Sequence, residues 1–145
     1  MAESNGAKAL LDFSEFDTKT MADAGIEIEI NNAAGDPTGL FFKVLGTDSS
    51  QYQKLKTTHE RARVKKLAKG GKTVIDTVYD DARDNDVELV CACTIDWHST
   101  KGDMPFPASD KDKLAEFYLK YPLVLDQVRV AIVDRANFTK GSVAK

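Results

Sequence analysis

Three short stretches of this 145-residue chain carry residue types that could do chemistry. Gly70-Gly71-Lys72-Thr73 has the ending of a phosphate-binding loop, in which backbone N–H groups surround phosphate oxygens and a lysine neutralises them. That loop needs its first glycine five residues before Gly71. The chain has Lys66 there, in a stretch that reads as helix rather than buried strand. A helix-breaking Gly-Gly before a capped helix accounts for the same letters. Cys91, Cys93 and His98 supply thiolate and imidazole, the ligands zinc prefers. Residues two apart on a helix point to nearly opposite sides, and no second Cys/His pair completes four ligands, so buried structural cysteines are the expectation. Asp84, Asp86 and Glu88 resemble the opening of a calcium loop, but Leu89 stands where that loop turns on a glycine. Nucleophilic catalysis would need Ser or Cys beside an oriented base, and only His59 and His98 offer imidazole, each without a motif around it. The sequence therefore points away from an enzyme, with no catalytic, cofactor-binding or metal-binding residue expected.

Charge is the more informative signal. The net value is −3, but residues 1–48 carry −6, residues 49–72 carry +7 and residues 73–93 carry −5. The positive stretch holds Lys54, Lys56, Arg61, Arg63, Lys65, Lys66, Lys69 and Lys72. A basic helix can neutralise phosphates, which keeps a nucleic-acid-binding accessory protein as an alternative. Against it stand the acidic chain as a whole, the acidic stretch that follows, and the lack of aromatic residues among the basic ones. A solvated or protein-binding face fits better. Neighbouring surfaces of opposite sign also invite head-to-tail association into rings or filaments.

The elements that must position these residues follow from periodicity and turn chemistry. Asp17 to Gly25 reads as a short helical turn stopped by its glycine. Ile26-Glu27-Ile28-Glu29-Ile30 alternates as a half-buried strand, the Asn31–Gly39 stretch is dense in turn formers, and Leu40 to Leu45 is extended again. The result is a hairpin, too small to stand alone in water, so its isoleucine face must be covered. Helix is expected from Gln51 to Lys69, with a narrow stripe of Tyr52, Leu55, Ala62, Val64 and Leu67. Thr73 and Asp76 open a second helix, whose apolar positions recur at three- and four-residue steps through Val90 and Cys93 to Trp97, with a polar gap at Arg83 to Asp86. Residues 98–108 form a loop. A helix over Leu114, Phe117, Tyr118 and Tyr121 ends where Pro122 begins the last one, whose Leu125, Val128, Ile132 and Phe138 face inward.

A composition of 42% apolar and 30% charged residues is that of a soluble protein, and 145 residues suffice for one core without disulfides or metal. No apolar run approaches a membrane span, the opening residues lack the layout of a secretion signal, and two cysteines suit a reducing cytoplasm. The expected organisation is a flexible leader at 1–12, one α+β domain at 13–138 with an N-terminal β-hairpin packed on a bundle of about four α-helices, and a flexible tail at 139–145.

The order of features resembles the tail assembly chaperones of long-tailed, siphovirus-type bacteriophages, over roughly residues 13 to 138. Its N-terminal part is Phe16-Asp17-Thr18-Lys19 before the Ile-Glu strand, the Gly35-Asp36-Pro37-Thr38-Gly39 turn, and Leu45-Gly46-Thr47-Asp48-Ser49 leading through Tyr52 into the basic helix. The more specific C-terminal part is Trp97, Pro105-Phe106, Tyr121-Pro122, Gln127-Val128 and Asp134-Arg135-Ala136-Asn137-Phe138. Trp97, Phe106, Tyr121, Pro122, Asp134, Arg135 and Phe138 are expected to be structural anchors, with Asp134 and Arg135 a charge pair on a helix surface. The strong charge on residues 51–72 departs from the family pattern. The resemblance implies a non-enzymatic chaperone of viral morphogenesis in the host cytoplasm. It would bind and solubilise the tape measure protein, help recruit tail tube protein, use no cofactor, and leave before the virion is complete. Many such families also make a longer form by translational frameshift. The runner-up is a structural minor component retained in the tail. Candidate partner contacts are Leu40, Phe42 and Val44 on the hairpin edge, and Lys54, Arg61, Arg63, Lys65 and Lys66 on the basic helix.

Overall fold

The computed structural model describes residues 10–69 and 84–139. The leader up to residue 9, the Gly70-Gly71-Lys72-Thr73 motif with the expected start of the second long helix, and the last six residues lie outside the described residues.

Asp17 opens the first helix by accepting from the Thr20 N–H and hydroxyl. This helix, α1 (Lys19–Ala24), stops at Gly25, whose φ of +87° is open to glycine at little cost. Strand β1 (Ile26–Asn31) follows at once, and β2 (Pro37–Val44) returns antiparallel to it. The turn between them is held by the Asn32 side chain, which accepts from the Ala34 and Asp36 amides. Register places Ile28 opposite Phe42 and Ile30 opposite Leu40, with Glu27 opposite Lys43 on the other face. One face is therefore apolar and the other charged, as the alternation requires.

Helix α2 (Ser50–Lys69) comes next, and residues 84–93 form the described part of helix α3. α3 ends at Cys93. From Thr94 the chain is strand β3 (Thr94–Ser99), antiparallel to β2, so the sheet has the order β1-β2-β3 and β2 is central. The expected single helix through Trp97 is thus corrected, and the reason lies in the register. Lys43 faces Asp96, but Val44 faces Thr94, leaving Ile95 as an extra residue. This bulge brings Thr94 and Trp97, three apart in sequence, onto the same buried face, and the strand imitates a helical spacing.

The loop after β3 leads to α4 (Lys111–Lys120), capped by Asp110 through the Lys113 amide, and to α5 (Pro122–Val133), which begins on Pro122. A 3₁₀ turn, Arg135–Phe138, ends the described chain. α4 and α5 cover the apolar face of the sheet, completing an α+β fold. Phe42, Trp97, Phe106, Phe117 and Tyr118 form one aromatic cluster there, with Phe42 edge-on to Trp97 at 5.5 Å and Trp97 4.7 Å from Phe106. The Trp97 indole N–H donates to the Phe106 carbonyl at 2.9 Å, so its polar end is satisfied inside the core. Tyr118 and Thr94 share a 2.7 Å hydroxyl contact, and the Thr94 hydroxyl also lies 2.8 Å from the Val90 carbonyl, joining α4 to the end of α3.

Of the seven expected anchor residues only the aromatics Trp97, Phe106 and Phe138 fall inside this body, and Tyr121, Pro122, Asp134 and Arg135 are exposed. Trp97 and Phe138 are buried and Phe106 is half-buried, whereas Tyr121 is exposed at the junction of α4 and α5. Asp134 and Arg135 do not pair with each other. Asp134 caps the 3₁₀ turn by accepting from the Ala136 amide, and Arg135 reaches across to Asp48 with two bonds of 2.8 Å. Bidentate geometry favours that distant carboxylate over a neighbour in sequence.

Candidate functional site

Phe42 and Val44 are completely buried on the central strand. They hold the core together and offer nothing to a partner, which corrects their assignment as contact residues. Leu40, on the same strand, is half-buried. The hairpin edge that faces outward is β1.

The basic residues stand differently. Every side chain among Lys54, Arg61, Arg63 and Lys65 is exposed, Lys66 is half-exposed, and α2 buries none of its twenty residues. Its first turn is held by polar contacts. Ser49 accepts from the Tyr52 amide, Asp23 accepts from the Ser50 amide at 2.7 Å, and Lys19 donates to both Asp23 and the Ser50 hydroxyl. The Ser50 amide, then Lys19, hold the Asp23 carboxyl below its ordinary pKa. Just before the helix, Asp48 accepts from Arg135 and from the Thr18 hydroxyl, and those bonds lower its pKa in the same way. Farther along, His59 meets Glu88 of α3 at 2.5 Å. Beyond that point Val64 and Leu67 are 58% and 42% exposed. They lie with Glu60 and Ala68 on a side of α2 turned away from the inward-facing Tyr52, Leu55 and His59, so the single stripe expected from the sequence is split.

A second surface lies between β1 and α5, where a groove of about 410 Å³ has a floor of Ile28, Leu123, Val130 and Ala131. Gln127 closes one end. Its carbonyl accepts from the Asn31 amide and its amino group donates to the Asn31 carbonyl, both at 2.8 Å, imitating one step of an additional strand. Glu29 and Asp126 stand on the rim. Leu123 and Val130 lie on the side of α5 that also carries Asp126 and Gln127, opposite the inward Val128 and Ile132, as the spacing of the sequence expects.

The chemical constellations weighed in the sequence come apart. Cys91 and Cys93 are buried, and burial pushes their thiols up to about 11 and about 12, far from the reactive thiolate. Lys111 donates to the Cys91 and Thr94 carbonyls at 3.0 and 2.6 Å, capping the end of α3, and burial lowers its pKa. His98 lies on β3 at the opposite, solvent face of the sheet, stacked on Phe41 at 5.1 Å. Among the described residues no cluster of three potential metal ligands forms, and no helix is long and apolar enough to cross a membrane. Comparison with protein-family models, with curated proteins and with solved structures finds no significant match to this chain.

Proposed function

We propose that this protein is a non-enzymatic assembly chaperone of the phage tail, binding and solubilising the tape measure protein in the host cytoplasm and helping to recruit tail tube subunits. The reading starts from the order of sequence features that resembles this family. The observation that carries it is the coexistence, on one small body, of a twenty-residue basic helix that buries no residue and an apolar groove beside the sheet edge. Both are adhesive surfaces. A chaperone that acts without ATP can only lower the free energy of its client's exposed surface by covering it, and copies arrayed along a long helical client add avidity without new kinds of contact. Release then follows from competition, as tube subunits polymerise on the same client.

The test is co-expression with the tape measure protein, scored by the soluble fraction of that client. A client that stays equally insoluble with and without this chain overturns the proposal. Mass spectrometry of purified particles separates it from a retained tail component, since abundant peptides of this chain in mature virions contradict departure before completion.

The exposure of the basic residues on α2 also favours a second reading, a nucleic-acid-binding accessory protein. Retention on non-specific DNA should then fall steeply between about 50 and 200 mM salt, and negligible binding throughout removes it.

A further inference from the structure

We propose that the groove between β1 and α5 receives helix α2 of a second copy of this chain, so that copies join head to tail. This takes up the head-to-tail association that the opposite charges along the sequence invite; it engages the groove and one side of α2 and leaves the remaining basic face of α2 for the client.

The argument begins with what α2 lacks. Helices in folded proteins are held mainly by packing an apolar face, and α2 buries no residue along its length. Its outward patch of Val64, Leu67 and Ala68 is small; Glu60 beside it is paired with Arg63 at 3.0 Å, and Arg61, Lys65 and Lys69 leave the surroundings net positive. The groove has the complementary character: an apolar floor in which Leu123 is 46% and Val130 60% exposed, and acid at its rim. Glu29 accepts from the uncharged Gly39 amide, which leaves its charge unneutralised. Asp126 shares the Arg129 guanidinium with Asp86, two carboxylates to one cation. The rim is therefore net negative where the incoming helix is net positive, which favours encounter and sets orientation.

The alternative of β1 pairing with β1 of another copy is disfavoured by the same glutamates. An antiparallel pair centred on Ile28 would set Glu27 directly against Glu29 twice. The groove draws on β1, α5 and Asn137, whereas α2 packs beside residues of α3 and α4, so helix and groove are separate patches on one subunit. Two different patches that fit each other make a heterologous contact, which continues into rings or filaments.

Complementation between two surface variants tests this. Val130→Lys places a cation on the groove floor and leaves α2 intact; Val64→Glu spoils the helix patch and leaves the groove intact. Both positions are more than half exposed, and circular dichroism verifies the fold of each. The wild-type chain should associate beyond its 15.9 kDa monomer in light scattering coupled to size exclusion, less so at high salt, and each variant alone should run as monomer. An equimolar mixture at high protein concentration should stop at twice that mass, because one productive docking remains, α2 of the Val130→Lys chain in the groove of the Val64→Glu chain. A monomeric wild-type chain, a variant that associates as the wild type does, or a mixture that stays monomeric overturns the proposal. A monomeric wild-type chain that still solubilises its client would sink this interface and leave the chaperone reading standing; an associating chain with no effect on the client would do the reverse.

Discussion

Helix α5 buries Val124, Val128, Ala131 and Ile132 within twelve residues, whereas α2 runs for twenty without burying one. α5 has no side-chain hydrogen bond at its N-cap and needs none, since the sheet holds it; α2 begins on Ser49, Asp23 and Lys19 because little apolar surface holds it elsewhere. One helix is made stable by what it covers and the other by how it starts. The contrast divides the molecule into a body that fixes the fold and an outlying helix most of whose side chains are exposed.

The sharpest way to break this division is to empty the body. Phe42→Ala removes a completely buried ring from the centre of the aromatic cluster and should cost about 3–5 kcal/mol in urea unfolding. A loss below 1 kcal/mol, of the order expected at the surface, would mean that the core is not organised around the central strand. Gly46→Ala tests the join between body and the base of α2. An added methyl would lie 2.9 Å from the Ala22 methyl and from the Phe138 ring, and the resulting overpacking should cost about 1–3 kcal/mol.

The polar attachment of the α2 base gives a smaller, pH-dependent effect. Asp48 has a folded pKa held below its ordinary 3.8 by Arg135 and Thr18, so its contribution is fully present above that value. It is lost as pH falls through the lower folded value. Asp48→Asn should therefore lower Tm at pH 7, and the gap from wild type should narrow below about pH 3.8. A gap that is constant with pH, or that widens on acidification, would show that the ion pair is not the source. Smallest of all, Val64→Ala should change stability by no more than about 0.5 kcal/mol, because the side chain is largely exposed. A loss of 2 kcal/mol would show that the far half of α2 belongs to the body after all.

Much of the body is legible in the letters. The Ile-Glu alternation and the Asn/Gly/Pro-rich turn specify the β1–β2 hairpin, the Tyr121-Pro122 step separates α4 from α5, and Trp97 reads as an anchor. Strand β3 was hidden, because its bulge at Ile95 gives Thr94 and Trp97 a three-residue spacing that matches helix. With β3 in place β2 becomes central, and Phe42 and Val44 pass from an apparent edge into the core. The Asp48–Arg135 pair was equally out of reach, since 87 residues separate its members.

Local signals are written where neighbours in sequence touch. By itself the chain determined which segments turn, which alternate and where charge collects, for these depend on steric preferences and side-chain types a few residues apart. Only the tertiary structure decided which edge of the hairpin stays open, what lies against the apolar side of α5, and that the basic helix is left outside. Those outcomes depend on which distant element arrives to occupy each face. Burial is a relation between surfaces, and a single strand or helix does not carry its partner in its own residues.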